Sequence, residues 1–163
     1  MAATRAAAAT DDSTAARSAA ERVLLDVNVL IALLDDAHVF SQRANAWLDV
    51  APRRIATCPI VENSAVRVMS ATAYCATHRA TPTQVAEGLR ALTEGVDHAF
   101  WPDDVSLLDE ACFHFTRLHG YRQITNAYLL ALAVRHRGAL ASFDPAVPLS
   151  AVRGAAKRHL LPL

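Results

Sequence analysis

The chain has 163 residues and a mass of 17.6 kDa, room for one ordinary domain. Hydrophobic residues make up 53% and charged residues 20%, the balance of a globular rather than a disordered chain. The 16 basic residues match the 16 acidic ones, which excludes a polycation whose partner is legible from charge alone but leaves room for an acidic site with a basic rim.

Lys157 is the only lysine, so arginine carries nearly all the positive charge. Cys58, Cys75 and Cys112 are scattered with no CxxC, which excludes a zinc ribbon, argues against a disulfide framework and fits a reducing cytoplasm. No apolar run reaches the roughly 18–20 residues of a membrane helix, so no membrane partner is expected. Residues 1–21 hold Ala, Thr, Ser and scattered charge without a large apolar anchor. They read as a flexible extension that is a poor secretory signal, with the folded domain over 22–163.

Val23-Leu24-Leu25 predicts a buried strand, followed by a turn at Asp26 to Asn28 and a helix through Leu34. A second helix is expected over Val39 to Leu48, with Phe40, Ala44, Trp47 and Leu48 on one face. Ile55-Ala56-Thr57 predicts the next strand. Pro59 then suits the first turn of a long helix to about Thr77, carrying Val61, Ala65, Val68 and Met69 inward. Thr81-Pro82-Thr83-Gln84 has the form of a capping box, opening a helix that turns Val85, Leu89 and Leu92 inward and ends near Gly95. A third strand is expected over His98 to Trp101, stopped by Pro102, and a helix over Ser106 to His119, ended by Gly120. Thr125 is expected to cap a helix to His136, with Gly138 just beyond it. Leu140 to Phe143 predicts a fourth strand closed by Asp144, and His159-Leu160-Leu161 a last one at the edge. Alternation of strands and helices gives an α/β domain: a mostly parallel sheet of four to five strands sandwiched by helices.

The five glycines form neither GxGxxG nor GxxxxGK[ST], and GxSxG and HExxH are absent too. What remains is polar residues at element ends. Asp26 closes the first strand and Asp144 the fourth, and in an open parallel sheet those ends form the ligand crevice. Glu62 and Asn126 fall in first turns of helices that point to the same edge. Such oxygen donors, with no lysine among them, suit a hard divalent cation, Mg²⁺ or Mn²⁺, which can activate water and offset phosphodiester charge. Each residue has a plainer reading as well. Asp26 is a good helix N-cap, Asp144 a good turn residue, Glu62 a solvated first-turn acid, and Asn126 a tolerated polar residue.

Leu24-Leu25-Asp26-Val27-Asn28-Val29-Leu30-Ile31, Glu62 after Cys58-Pro59-Ile60-Val61, Ile124-Thr125-Asn126-Ala127-Tyr128-Leu129, and Leu140-Ala141-Ser142-Phe143-Asp144 occur in that order. Together with Phe100-Trp101-Pro102-Asp103-Asp104, they resemble a PIN domain, and in particular the VapC-type toxin of a VapBC toxin–antitoxin pair. The resemblance covers Arg22 to the C-terminus. It implies a small α/β/α sandwich and Mg²⁺- or Mn²⁺-dependent endoribonuclease activity on tRNA, rRNA or mRNA in the cytoplasm. It also implies a homodimer and inhibition by a VapB-type antitoxin. Carried over by position, Asp26, Glu62, Asn126 and Asp144 are the catalytic and metal-binding set, and Asn28 and Thr125 orient it.

One position departs from the pattern. The family usually has Thr-Asp-Ala where this chain has Thr125-Asn126-Ala127. Asparagine keeps a carbonyl acceptor but loses the charge, so metal affinity is expected to fall. An engineered inactivating change, a natural degenerate domain and a natural enzyme that tolerates Asn all fit; an isosteric change in an intact motif favours a deliberate or recent one. A catalytically silent module that binds antitoxin or RNA is therefore the alternative function. A phosphatase of the haloacid dehalogenase type is disfavoured, because Asp26-Val27-Asn28 lacks its second acid. Arg122 is the candidate RNA-phosphate contact, ahead of Arg53-Arg54, Arg135 and Arg137. The apolar residues Leu33, Leu34, Phe40 and Trp47 are the expected antitoxin groove.

Overall fold

A computed structural model describes residues 21–50, 53–74 and 80–163. The expected extension over 1–21 thus lies, Glu21 aside, outside the described residues. Five short segments form strands: β1 (Val23–Leu25), β2 (Arg54–Thr57), β3 (Asp97–Phe100), β4 (Ala139–Ser142) and β5 (Leu160–Pro162). All pair in parallel, in the order β3-β2-β1-β4-β5. β1 and β4 are wholly buried, as expected of central strands covered on both faces.

The helices are α1 (Val27–Leu34), α2 (Ser41–Asp49), α3 (Pro59–Met69), α4 (Pro82–Glu94) and α5 (Ile124–Arg135). The first four pack on one another, while α5 packs on β1 and β4 with Ala127 to Ala133 all buried. From β1 the chain winds outward to β2 and β3; from β4 it winds the other way to β5. The reversal lies between β1 and β4, where a doubly wound sheet opens a crevice at its carboxyl edge. No helix among the described residues is long and apolar enough to cross a membrane.

Several boundaries differ from the sequence expectation. α1 starts at Val27, because the Asp26 carboxylate caps it directly, accepting from the Val27 N–H at 2.6 Å. α2 starts only at Ser41. The Asp35 carboxylate accepts from the Ala37 N–H and His38 Nδ1 from the Phe40 N–H, which ties residues 35–40 into turns. Phe40 therefore leaves the helical face and stacks on Phe143, ring centroids 4.5 Å apart.

α3 stops at Met69, short of Thr77, because the Ser70 hydroxyl donates back to the Val66 carbonyl at 2.6 Å. Part of the longer helix expected there, residues 75–79, lies outside the described residues. The capping box at Thr81 forms in full, with Thr81 Oγ1 accepting from the Gln84 N–H and Gln84 Oε1 from the Thr81 N–H.

The helix expected over Ser106 to His119 does not form. Asp109 accepts from the Ala111 N–H, Ser106 Oγ accepts from the Leu108 N–H, and Phe113 pairs with Val152 in an antiparallel bridge, leaving turns and a 3₁₀ segment at Phe115–Arg117. Thr125 is not a cap either. α5 begins at Ile124 after a 3₁₀ turn over Tyr121–Gln123, and Thr125 lies exposed in its first turn.

Candidate metal centre

The parallel ladder of β1 and β4 pairs Val23, Leu24 and Leu25 with Ala139, Leu140 and Ala141. One more bond, from the Asp26 N–H to the Ala141 carbonyl at 3.0 Å, extends this register and sets Asp26 beside Ser142. The Ser142 hydroxyl is buried. It donates to Asp26 Oδ2 at 2.9 Å and accepts from the Asp144 N–H at 3.1 Å. One hydroxyl thus orients the first acid and fixes the backbone that carries the second.

Asp144 accepts from the Ala146 N–H through Oδ1 at 2.8 Å and from Asn126 Nδ2 through Oδ2 at 2.7 Å. Asn126 comes from the first turn of α5, so β1, β4 and α5 each send one side chain to the same spot. Asp26 is only 4% exposed. Burial pushes its carboxyl above the ordinary carboxylate value and the charge of Asp144 adds to the rise, while the bonds from Ser142 and Val27 oppose it.

Glu62 is placed differently. Its Oε1 accepts from the Thr57 hydroxyl at 2.6 Å, and Thr57 Oγ1 lies 2.7 Å from His98 Nε2. A threonine has one proton to give, so His98 is the donor to Thr57 and carries its hydrogen on Nε2. Burial holds His98 below the ordinary histidine value, with Glu62 pulling weakly the other way. No hydrogen bond joins Glu62 to Asp26 or Asp144 among the described residues. No group of three or more His, Cys, Asp and Glu side chains there is set to hold an ion.

Asn28 is exposed, and the bonds that orient Asp26 come from Val27 and Ser142 instead. Arg122 is exposed as well. Its guanidinium lies over the Tyr121 ring, 5.7 Å from the centroid, with Nε donating to the Tyr121 hydroxyl at 3.2 Å. Cys58 lies buried at the end of β2, and burial pushes its thiol up to about 12, so it offers no thiolate. Sequence reasoning missed Ser142, Thr57 and His98. The signal for Ser142 was a polar residue ending a run of apolar ones two places before Asp144.

Two carboxylates and an amide, with no lysine or arginine paired to them, make a hard-oxygen donor set. Each carboxylate oxygen keeps a second lone pair beyond its one protein bond. An acid pushed toward protonation by burial, with a second acid adding to the push, is the electrostatic situation that a divalent cation relieves. The residues present fit a hard divalent cation, with one charge fewer than three acids would give.

The PIN domain family pattern matches residues 23–153. The chain is 44% identical over 146 residues to Ribonuclease VapC44 of Mycobacterium tuberculosis, covering 87% of this chain and 99% of that protein. It is 38% identical over 132 residues to Ribonuclease VapC39 of the same organism, covering 80% and 94%. It is 38% identical over 122 residues to its Ribonuclease VapC29, covering 75% and 85%. A match across most of the domain, over a sheet with two acids and an asparagine at its switch point, establishes that the chain belongs to the PIN-domain family and is of the VapC type.

Proposed function

We propose that the protein is the toxin of a type II toxin–antitoxin pair, an endoribonuclease that hydrolyses RNA phosphodiester bonds with Mg²⁺ or Mn²⁺ in the cytoplasm. The observation that carries this reading is the meeting of Asp26, Asp144 and Asn126 at the sheet switch point. Its relatives are named ribonucleases. Asp26 and Asp144 would hold the ion, Asn126 would add at most its carbonyl, and Glu62 would serve from the neighbouring helix. The ion, when bound, supplies a Lewis acid for the phosphate and lowers the pKa of water. Ser142 keeps Asp26 fixed. Asp26 is almost closed to solvent, so its charge is poorly screened by water.

The partners under this reading are RNA, a VapB-type antitoxin and a second copy of the chain. Leu33, Leu34 and Trp47 pack half-buried against the core, whereas Phe40 stays 37% exposed and Val39 83%. The antitoxin would cover this apolar surface beside α1 and α2. A silent binding module is the second reading, favoured by the Asn126–Asp144 bond, in which the amide donates to an oxygen the ion would use.

The test is cleavage of total tRNA and messenger RNA with Mg²⁺ or Mn²⁺ by the parent chain and by Asn126→Asp. Cleavage is expected to need the ion, to rise at least tenfold in Asn126→Asp, and to vanish when Asp26→Ala is added. If Asp26→Ala leaves cleavage unchanged, the site is misassigned. If neither chain cuts either RNA, the silent module takes its place.

A further inference from the structure

Outside the candidate metal centre, a cleft of about 720 Å³ opens between α3 and α4. Its apolar floor comes from Val66, Ala86 and Leu89. Its polar groups are Asn63 and Arg67 from α3, Arg90 and Thr93 from α4, His98 from β3, and Glu62. The spacing explains the convergence. Asn63 and Arg67 are four apart on one helix and Arg90 and Thr93 three apart on the other, so each pair forms one stripe, and the packed helices turn both stripes to one gap.

The electrostatics are one-sided. Arg67 and Arg90 are exposed, and neither makes an ion pair or side-chain hydrogen bond among the described residues. The one carboxylate in the wall, Glu62, is already bonded to Thr57. Two unpaired guanidinium forks with the Asn63 amide beside them match phosphate oxygens in geometry and charge. Glu62 also ties the cleft to the catalytic edge. It lies in the first turn of α3, and Thr57 beneath it ends the strand next to β1.

We infer that this cleft is a backbone-phosphate subsite for single-stranded RNA, in which Arg67 and Arg90 grip the substrate to one side of the scissile bond. The inference rests on the ribonuclease reading, and it adds where the strand runs: from the switch point past Glu62 and out between α3 and α4. Phosphate contacts of this kind position the strand and carry no base information.

The test is anisotropy of a labelled single-stranded oligoribonucleotide of mixed sequence, bound to the full chain in EDTA over a range of salt. The variants are Arg67→Gln/Arg90→Gln and, as a control of equal charge change outside the cleft, Arg43→Gln/Arg158→Gln. Each phosphate contact on a single strand contributes about 0.7 to the slope of log K against log salt, so the cleft variant should lose about 1.4 of slope, and on the order of tenfold in affinity at 0.1 M salt. The control should lose much less. Equal slopes for the two variants would overturn the subsite. So would a change of oligomeric state in sedimentation with the slope intact, since the cleft would then be an interface between copies. Cleavage with an unmoved slope would reject the subsite and keep the ribonuclease. A moved slope without cleavage by Asn126→Asp would do the reverse, and no RNA binding at all would reject both.

Discussion

A carboxylate as buried as Asp26 raises the energy of the fold that holds it. Its proton affinity is higher in the folded chain than the ordinary value of 3.8, so the native state binds that proton more tightly than the unfolded one. For an acid of this kind stability falls as pH rises from the unfolded value through the raised one. Asp26→Asn removes the charge and keeps the shape. Its Oδ1 still accepts from the Val27 N–H, asparagine is as good a cap as aspartate, and its Nδ2 can donate to a Ser142 hydroxyl turned to accept. We expect the variant to lose cleavage while gaining about 1 kcal/mol of stability at pH 7 in EDTA. In a domain of this length that is a rise in Tm of about 2–4 °C. Thermal unfolding of both chains checks it; a lower Tm would mean that the Asp26 charge stabilises the native fold.

Where α5 hands the chain to β4, element packing depends on one missing side chain. A Cβ on Gly138 would collide with the Arg22 carbonyl oxygen and come within 2.6 Å of the Trp101 ring. Neither neighbour is free to retreat. Arg22 Nη1 donates to the Ile55 carbonyl, and Trp101 is 6% exposed and stacked on His136 with centroids 4.5 Å apart. Gly138→Ala should therefore lose about 2–3 kcal/mol, in the upper range for overpacking. The check is urea denaturation, with a lower midpoint at unchanged m; an unmoved midpoint would show that the junction relaxes freely. The same elements show what the sequence made legible. Continuous apolar runs located β1, β2 and β4, and the Thr81 box located α4, because burial and capping are local demands. The segment after Pro102 was misread because its side chains bond their own backbone and Phe113 is held by Val152, a partner remote in sequence. In the candidate metal centre, the convergence of Asp26, Asn126 and Asp144 was legible from their places at the ends of elements. The place of Glu62 was not, since it depends on a hydroxyl and an imidazole from two other strands.

The whole molecule balances its fixed charges, so its response to acid is set by groups whose proton affinity changes on folding. Asp97, exposed and held below the ordinary value by Arg22 and then Arg54, stabilises above 3.8 and loses that contribution only as pH falls through its lower folded value. Between pH 7.5 and 5.5 the histidines matter instead. His159 is buried where the chain enters the edge strand β5. Burial and then Arg158 hold it below 6.5 against a weaker pull from Glu21. Its Nδ1 accepts from the Ala156 N–H at 3.0 Å, a bond that protonation abolishes. The unfolded chain thus takes up a proton that the native one refuses, and stability falls as pH drops below about 6.5. His98 acts in the same direction. β5 pairs along β4, and the Leu163 N–H reaches the Ser142 carbonyl at 3.0 Å, so loosening this edge reaches the strand that leads to Ser142 and Asp144 of the candidate site. His159→Asn keeps an acceptor for Ala156 and removes the titration. Its Tm should fall measurably less than the parent's between pH 7.5 and 5.5, with His119→Asn, at an exposed histidine, as the control. Parallel Tm–pH curves for the parent and His159→Asn would assign the acid loss to other groups.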